Sequence, residues 1–308
     1  MSDEKHIVKN ATLRNLGRRV LPYSIRAFIA QRIVPPEIDL KKVLKEILDY
    51  YESIPESLKK ELEYINEHGV QIYPYEFSEK YSWKSVKVFS DNKCGLHYVF
   101  HDGKRLYFPR GMEKADIKQC YNLLRLEQDE LSPHRYRTER MDEYVKGGVL
   151  IDAGAAEGIL SLEYADIARK IILFECDEKW MEALQHTFEP WKEKVQIVKK
   201  YVCDKNDDEN CTLEQYIETA ESGVLIKMDI EGAEENALEG AFASLKQANN
   251  IALLCCAYHR VSAAESIEKI VKALGFQYEI TDGYMLIGCI DGYVPPYFRR
   301  GLIRAWKK

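Results

Sequence analysis

Between Lys227 and Glu234 the chain reads Lys-Met-Asp-Ile-Glu-Gly-Ala-Glu, directly after the apolar residues Val224, Leu225 and Ile226. Four ionisable groups, Lys227, Asp229, Glu231 and Glu234, therefore crowd the end of a segment that belongs in a core. Such groups are costly to bury unless they pair or bind something, so the cluster marks a functional site. A helix N-terminus complements Glu231 and Glu234 through its dipole, but it does not account for Lys227 or Asp229. Three more acids follow apolar runs: Asp152, Glu175 and Asp204. His259 follows another, Ile251–Tyr258. The chemistry these groups suit is proton removal from a hydroxyl. The candidate bases are Asp229, Glu231, Glu234 and His259, and His259 is the first choice because its unperturbed pKa lies near neutrality. A divalent ion held by Asp229, Glu231 and His259 is a minor alternative, and no metal is assigned.

The turn Asp152-Ala-Gly154-Ala155-Ala156-Glu157-Gly158 carries glycines four apart. Gly154 allows a sharp turn and Gly158 a close approach to the following helix. A dinucleotide fingerprint would have glycine at position 156, where this chain has Ala. A carboxylate two residues before the first glycine suits a ligand with a cationic amino-acid tail. That favours S-adenosylmethionine over a nicotinamide dinucleotide. Glu175, 23 residues after Asp152, is placed to accept hydrogen bonds from a ribose diol, and Asp204 from an adenine amino group. Upstream, the Pro133-broken segment Leu126–Tyr136 offers Glu127, Gln128, His134 and Tyr136 to close the site or to recognise sugar hydroxyls.

The elements that must position these groups show in the periodicity. From 149 onward, apolar runs alternate with helical stretches: VLIDAG then 156–168, IILFE then 178–188, VQIVKKYV, VLIKMDI then 233–246, and IALLCCAY then 262–274. Near-continuous apolar runs are the pattern of strands covered on both faces, which predicts a parallel sheet. FQYEI, Thr281-Asp282-Gly283 and YMLIGCI predict a closing hairpin. Ahead of the sheet, 36–68 reads as helical with a break at Pro55. Residues 84–109 read as a small antiparallel meander and 114–128 as a helix.

D-x-G-A-x-x-G at 152–158, F-E-x-D at 174–177, K-x-D-x-E-G-A-E at 227–234 and L-x-G-A at 238–241 resemble the FkbM-type methyltransferases. The resemblance spans about residues 125–290, with Ala156 where the family has Asn and Cys176 where it has Pro. It implies a Rossmann-like class I methyltransferase sheet: α/β, five parallel strands plus the antiparallel C-terminal hairpin. It implies methylation of a sugar or glycan hydroxyl with S-adenosylmethionine as cofactor. Carried onto this chain, the cofactor contacts are Asp152, Gly154, Ala155, Gly158, Glu175, Cys176, Asp204 and Asp229. The substrate contacts are Glu127, His134, Tyr136, Lys227 and Glu234. A non-catalytic nucleotide- or glycan-binding module on the same fold is the alternative.

The 308 residues carry 44 Lys+Arg, 50 Asp+Glu and eight cysteines. The charge is uneven: residues 1–35 hold +5 and residues 298–308 another +5, leaving −16 for the body between them. An acidic body disfavours nucleic acid as a partner, while the two basic ends suggest weak contact with a membrane surface. The organisation expected is a basic arm at 1–35, a helical and meander accessory region at 36–113, a methyltransferase domain at 114–297 and a basic tail at 298–308. The opening residues lack the apolar core of a secretory signal, and Cys255-Cys256 sit inside an apolar run as free thiols do. A cytoplasmic location is expected.

Overall fold

The computed structural model describes residues 39–53, 55–217, 222–289 and 292–308. The basic arm expected at 1–35 lies outside them. The chain opens with α1 (Leu40–Tyr50) and α2 (Lys59–His68), separated at Pro55 as the sequence predicts. The meander β1 (Phe89–Ser90), β2 (His97–His101) and β3 (Lys104–Tyr107) follows, then α3 (Lys114–Glu127) and α4 (Glu139–Val145). The alternating part comprises β4 (Val149–Ala153), α5 (Ile159–Glu163), β5 (Lys170–Phe174), α6 (Glu178–Phe188) and β6 (Val195–Val198). A small excursion, β7 (Tyr201–Val202) and β8 (Asn210–Cys211), leads to β9 (Val224–Met228), α7 (Glu234–Gly240) and α8 (Phe242–Gln247). The chain closes with β10 (Ile251–Cys256), α9 (Ala263–Leu274), β11 (Gln277–Ile280), β12 (Met285–Cys289), β13 (Gly292–Arg299) and β14 (Leu302–Lys307).

Seven strands form the main sheet in the order β11-β14-β10-β9-β4-β5-β6. Strands β10, β9, β4, β5 and β6 run parallel. Strand β14 is antiparallel to both of its neighbours. This is a Rossmann-like α/β sheet, with the reversed strand second from one edge. Every residue of β4, β9 and β10 is buried. Alternate side chains explain why: Leu150, Leu173, Leu225 and Leu254 enter one apolar cluster with α3, α4 and α6. Ile151, Ile172, Ile226 and Leu253 enter a second with α7, α8 and α9.

The C-terminal pairing differs from the expected hairpin. Strand β11 pairs with β14, while β12 pairs with β13 in a separate two-stranded ribbon. The segment expected as a basic tail is thus the antiparallel strand of the sheet. Its apolar residues Leu302, Ile303 and Ala305 are fully buried. Its cations are spent within the fold: Arg304 donates to Glu279 Oε1 (3.0 Å) and to the Arg135 carbonyl (2.6 Å), and Lys307 to the Leu245 carbonyl (2.9 Å). Long basic side chains can bury their stems and still place their charged ends at an edge, so net charge concealed the strand. Nor does a core boundary fall at 113/114. Tyr98, Val99 and Leu106 of the meander share an apolar cluster with the sheet, and α1 and α2 pack on Leu286, Tyr297 and Phe298. Among the described residues no helix is long and apolar enough to cross a membrane.

Candidate functional site

The residues singled out from sequence converge on the carboxyl ends of β4, β5, β9 and β10, where open α/β sheets bind ligands. Gly154 turns the chain out of β4 with φ of 77°, and a Cβ there would stand 2.0 Å from the Asp229 carbonyl oxygen. Only glycine admits that approach, which locks the first loop onto the end of β9. Gly158 has the same left-handed φ, and its Cβ would strike the Phe188 and Leu184 side chains of α6. Ala156 is also left-handed, at φ 49°. That is a strained place for alanine and a tolerable one for the Asn of the resembling family.

Asp152 and Lys227 are register partners on β4 and β9. Lys227 Nζ lies 3.0 Å from Asp152 Oδ1 and donates to the Gly154 carbonyl at 2.6 Å, while Ser161 Oγ donates to Asp152 Oδ2 at 2.7 Å. Both side chains are buried. Burial pulls the lysine pKa down, but the carboxylates of Asp152 and Asp229 outweigh it and hold the ammonium charged. Two expectations change here. Asp152 is not open to a cationic ligand tail, because Lys227 already neutralises it, and Lys227 is tied to the fold rather than to substrate.

Glu175 is buried at the end of β5 and accepts three backbone N–H groups, from Ala156 (2.8 Å), Cys176 (2.8 Å) and Asp177 (2.7 Å). Burial raises its pKa and those three bonds oppose the rise. Gly154 and Ala155 both donate to the Phe174 carbonyl (3.0 Å each), and Gly158 to that of Ala155 (2.7 Å). The Glu157 carboxyl takes the N–H groups of Glu157 and Ile159. The turn from Gly154 to Gly158 thus directs these N–H groups to protein oxygens rather than to a pyrophosphate. Cys176 enters through its backbone N–H, and Asp204 is exposed, against the close backbone approach of Gly240.

Asp229 is the hub of the second half. Its Oδ1 accepts from Tyr258 (3.0 Å) and faces His259 Nε2 (3.2 Å), and its Oδ2 accepts from Tyr136 (2.9 Å). Although burial pushes its pKa up, His259 and Lys227 overcome this and hold the carboxylate well below its usual range. The other nitrogen of His259, Nδ1, sits 2.9 Å from Glu234 Oε1, and Glu231 Oε2 is 3.8 Å from Nε2. Burial lowers the histidine pKa, but Glu234 and Asp229 reverse that and raise it to about 9. His259 is therefore an imidazolium clamped between two carboxylates at neutral pH. In that state the ring has no free lone pair, unlike the neutral imidazole expected of a base. Glu234, besides facing His259, accepts the Ile230 N–H (3.0 Å), a structural role rather than a substrate contact. Glu231 adopts a left-handed φ of 62° beside this cluster.

His134 is buried, and burial drops its pKa to about 4, so it is a neutral ring beside Tyr136 and Cys256. Among the described residues two groups could gather a cation: His134 with Asp229 and Cys256, and Asp229 with Glu234 and His259. In the second, both ring nitrogens of His259 already face carboxylates, at 3.2 and 2.9 Å.

A narrow cavity opens between α3 and the first loop, about 30 Å³, lined by Glu127, Tyr136, Asp152, Glu157, Lys227 and Asp229 among others. It has room for about one water, so a larger ligand requires a wall residue such as Tyr136 to turn aside. Four carboxyl groups and one ammonium face it. Burial, with Asp229 and Glu157 adding to it, raises Glu127 well above the carboxylate range. Burial likewise lifts Glu157 to about 7, against Lys227 and two N–H groups. Glu157 and Tyr258 were not singled out from sequence. Glu157 stands inside the glycine turn, and its burial, the signal that marks it, exists only in the folded chain.

No known family model matches the chain, and no curated protein does. Among solved structures it is similar to precorrin-6Y C5,15-methyltransferase from Geobacter metallireducens, at 14% identity over 52% of this chain and 80% of that one, with a TM-score of 0.35. It is similar to magnesium protoporphyrin IX methyltransferase from Synechocystis, solved with S-adenosylmethionine bound, at 16% identity over 51% and 69%, TM-score 0.32. It is also similar to an rRNA methylase from Streptococcus thermophilus, at 13% identity over 54% and 91%, TM-score 0.34.

Proposed function

We propose that the protein is an S-adenosylmethionine-dependent methyltransferase of the FkbM type that methylates a hydroxyl of a sugar or glycan, in the cytoplasm. The observation that carries this reading is the character of the strand-end cavity. It offers hydrogen-bond acceptors and surplus carboxyl groups, so it suits a ligand that is cationic and bears hydroxyls. S-adenosylmethionine supplies an electrophilic methyl on a sulfonium and leaves as a neutral thioether. Glu175 and the Gly154–Gly158 loop are the groups to hold its ribose end, and Glu127, Glu157 and Asp229 face its charged end. Asp152 acts on this site through Lys227.

The acceptor hydroxyl must lose its proton. Asp229 is the carboxylate held ionised at the cavity, and it already accepts from two tyrosine hydroxyls, so a substrate hydroxyl can take the place of one of them. A carboxylate of such low pKa is a weak base. That suffices, because the hydroxyl proton becomes strongly acidic once its oxygen acquires a third bond. His259 keeps Asp229 charged and in place rather than taking the proton. The net charge of −16 outside the basic ends supports a neutral acceptor over a nucleic acid.

Titration calorimetry with S-adenosylmethionine tests the cofactor assignment. Saturable binding is expected, and no heat at high micromolar cofactor with the fold intact refutes it. Mass spectrometry of cellular glycans with and without the protein then tests the acceptor: loss of a methyl group is expected. Cofactor binding with no methyl lost from any glycan favours the non-catalytic module.

A further inference from the structure

A second, larger cavity, of about 320 Å³, lies on the far side of α3 between that helix and residues 71–83. This is the size range of small-molecule sites. Helix α3 contributes Gln119, Asn122, Leu123 and Leu126, which share one face at helical spacing. The facing segment contributes Gln71, Tyr73, Ser78 and Trp83. No lining side chain carries a charge at neutral pH, in contrast to the carboxyl-rich cavity at the strand ends.

Three features point to a ligand. Asn122 Oδ1 is shielded from solvent and has no hydrogen-bond partner among the described residues. A buried carbonyl oxygen without a donor is costly, and a turn of the Asn122 carboxamide, whose residue lines the cavity, brings it within reach of a ligand donor. Trp83 is 42% exposed, an unusual position for the largest apolar side chain, and its ring borders the cavity, with the flexible Lys84 ammonium 6.0 Å from its centroid. Gln71, Gln119 and Asn122 are carboxamides, each able to donate and accept at adjacent atoms, which matches neighbouring hydroxyls that do the same. The cavity also adjoins the first site. Tyr73 lines it and hydrogen-bonds Glu127, which lines the cavity beside Asp229.

We propose that this cavity is a binding site for a neutral saccharide ring, stacked on Trp83 and anchored by Asn122, that holds the glycan whose hydroxyl is presented towards Asp229. The proposal rests on the methyltransferase reading for its purpose, but not for its binding. The Tyr73–Glu127 contact is the wall between the two cavities. The lining side chains themselves are uncharged, which suits a neutral ring.

The test is a ¹H–¹⁵N titration of the full-length protein with methyl α-D-mannoside and methyl β-D-glucoside up to tens of millimolar, with adenosine as the comparison. Saturable shifts at the Trp83 indole N–H and at the Asn122 and Gln119 amides are expected with at least one glycoside. Asn122→Leu should weaken that binding roughly tenfold, the loss of one well-placed neutral hydrogen bond plus the desolvation it leaves. Trp83→Ala, at an exposed position that leaves the fold intact, should weaken it by a similar factor. S-adenosylmethionine affinity, measured by calorimetry on the same variants, should not change. No saturable glycoside shift at these residues, a preference for adenosine, or glycoside binding indifferent to both substitutions overturns the proposal. If glycosides bind here and S-adenosylmethionine does not bind at all, the saccharide site stands and the methyltransferase reading falls. The reverse result removes the saccharide site alone.

Discussion

Changing the pH from 6 to 8 titrates Glu157 inside the strand-end cavity, and the affinity for a cationic cofactor should follow. Burial holds this carboxyl near pKa 7, with Asp152 adding to the rise and Lys227 and two N–H groups opposing it. The ionised fraction then climbs from about one tenth at pH 6 to about nine tenths at pH 8. If the sulfonium ligand binds the ionised form, affinity rises roughly tenfold over that range, about 1.4 kcal/mol. At pH 7 binding should release about half a proton from this group. Glu127, raised further by burial, Asp229 and Glu157, adds to the release in the same direction. Calorimetry with S-adenosylmethionine in phosphate and in Tris reads the protons directly, since the two buffers take them up with different heats. Glu157→Gln should flatten the pH profile. In the free protein the sign is opposite for stability. The folded pKa lies above the unfolded value of 4.5, so stability falls as pH rises from 4.5 through 7, by about 3 kcal/mol at most. Glu157→Gln should therefore be more stable than the parent at pH 8 and closer to it at pH 4.5. Equal affinity at pH 6 and 8, with identical heats in the two buffers, refutes the reasoning.

His259, raised to about 9 by Glu234 and Asp229 against its burial, contributes stability that is complete below pH 6.5 and is lost as pH rises through 9. Imidazole ¹⁵N shifts should report a charged ring at pH 7.5, and a midpoint below 7 removes the clamp. His259→Gln, which leaves two buried carboxylates facing each other, should cost roughly 3–5 kcal/mol in urea unfolding. Asp152→Asn and Lys227→Met should each destabilise by a similar ~3–5 kcal/mol, and the double variant should recover much of that loss. Additive losses would show that the pair does not interact. Gly154→Ala forces a Cβ onto the Asp229 carbonyl at a left-handed φ, and its expected cost is roughly 3 kcal/mol or more in thermal unfolding. A near-neutral result contradicts the close packing of the first loop on β9.

Much of the sheet was legible in the sequence. The runs that became β4, β9 and β10 are apolar throughout because helices cover both of their faces, and that pattern is written locally. The strand-end acids were legible as a group for the same reason, since each interrupts an apolar run. Strand β14 was not, because its burial depends on Ile251↔Lys307 and Gln277↔Trp306 pairings that local composition does not encode. Arg304 and Lys307 read as part of a basic tail until the carbonyls that receive them are in place.

The sequence by itself determined which residues crowd the ligand-binding end of the sheet. Only the tertiary structure decided their states: Asp152 neutralised by Lys227 across one strand pair, His259 turned from base to imidazolium by Glu234 and Asp229, and Glu157 lifted to about 7 by the elements that cover it. Residue type sets a reference pKa. The operating charge depends on burial and on distances of about 3 Å between groups as far apart in the chain as Asp152 and Lys227, and those exist only once the chain has folded.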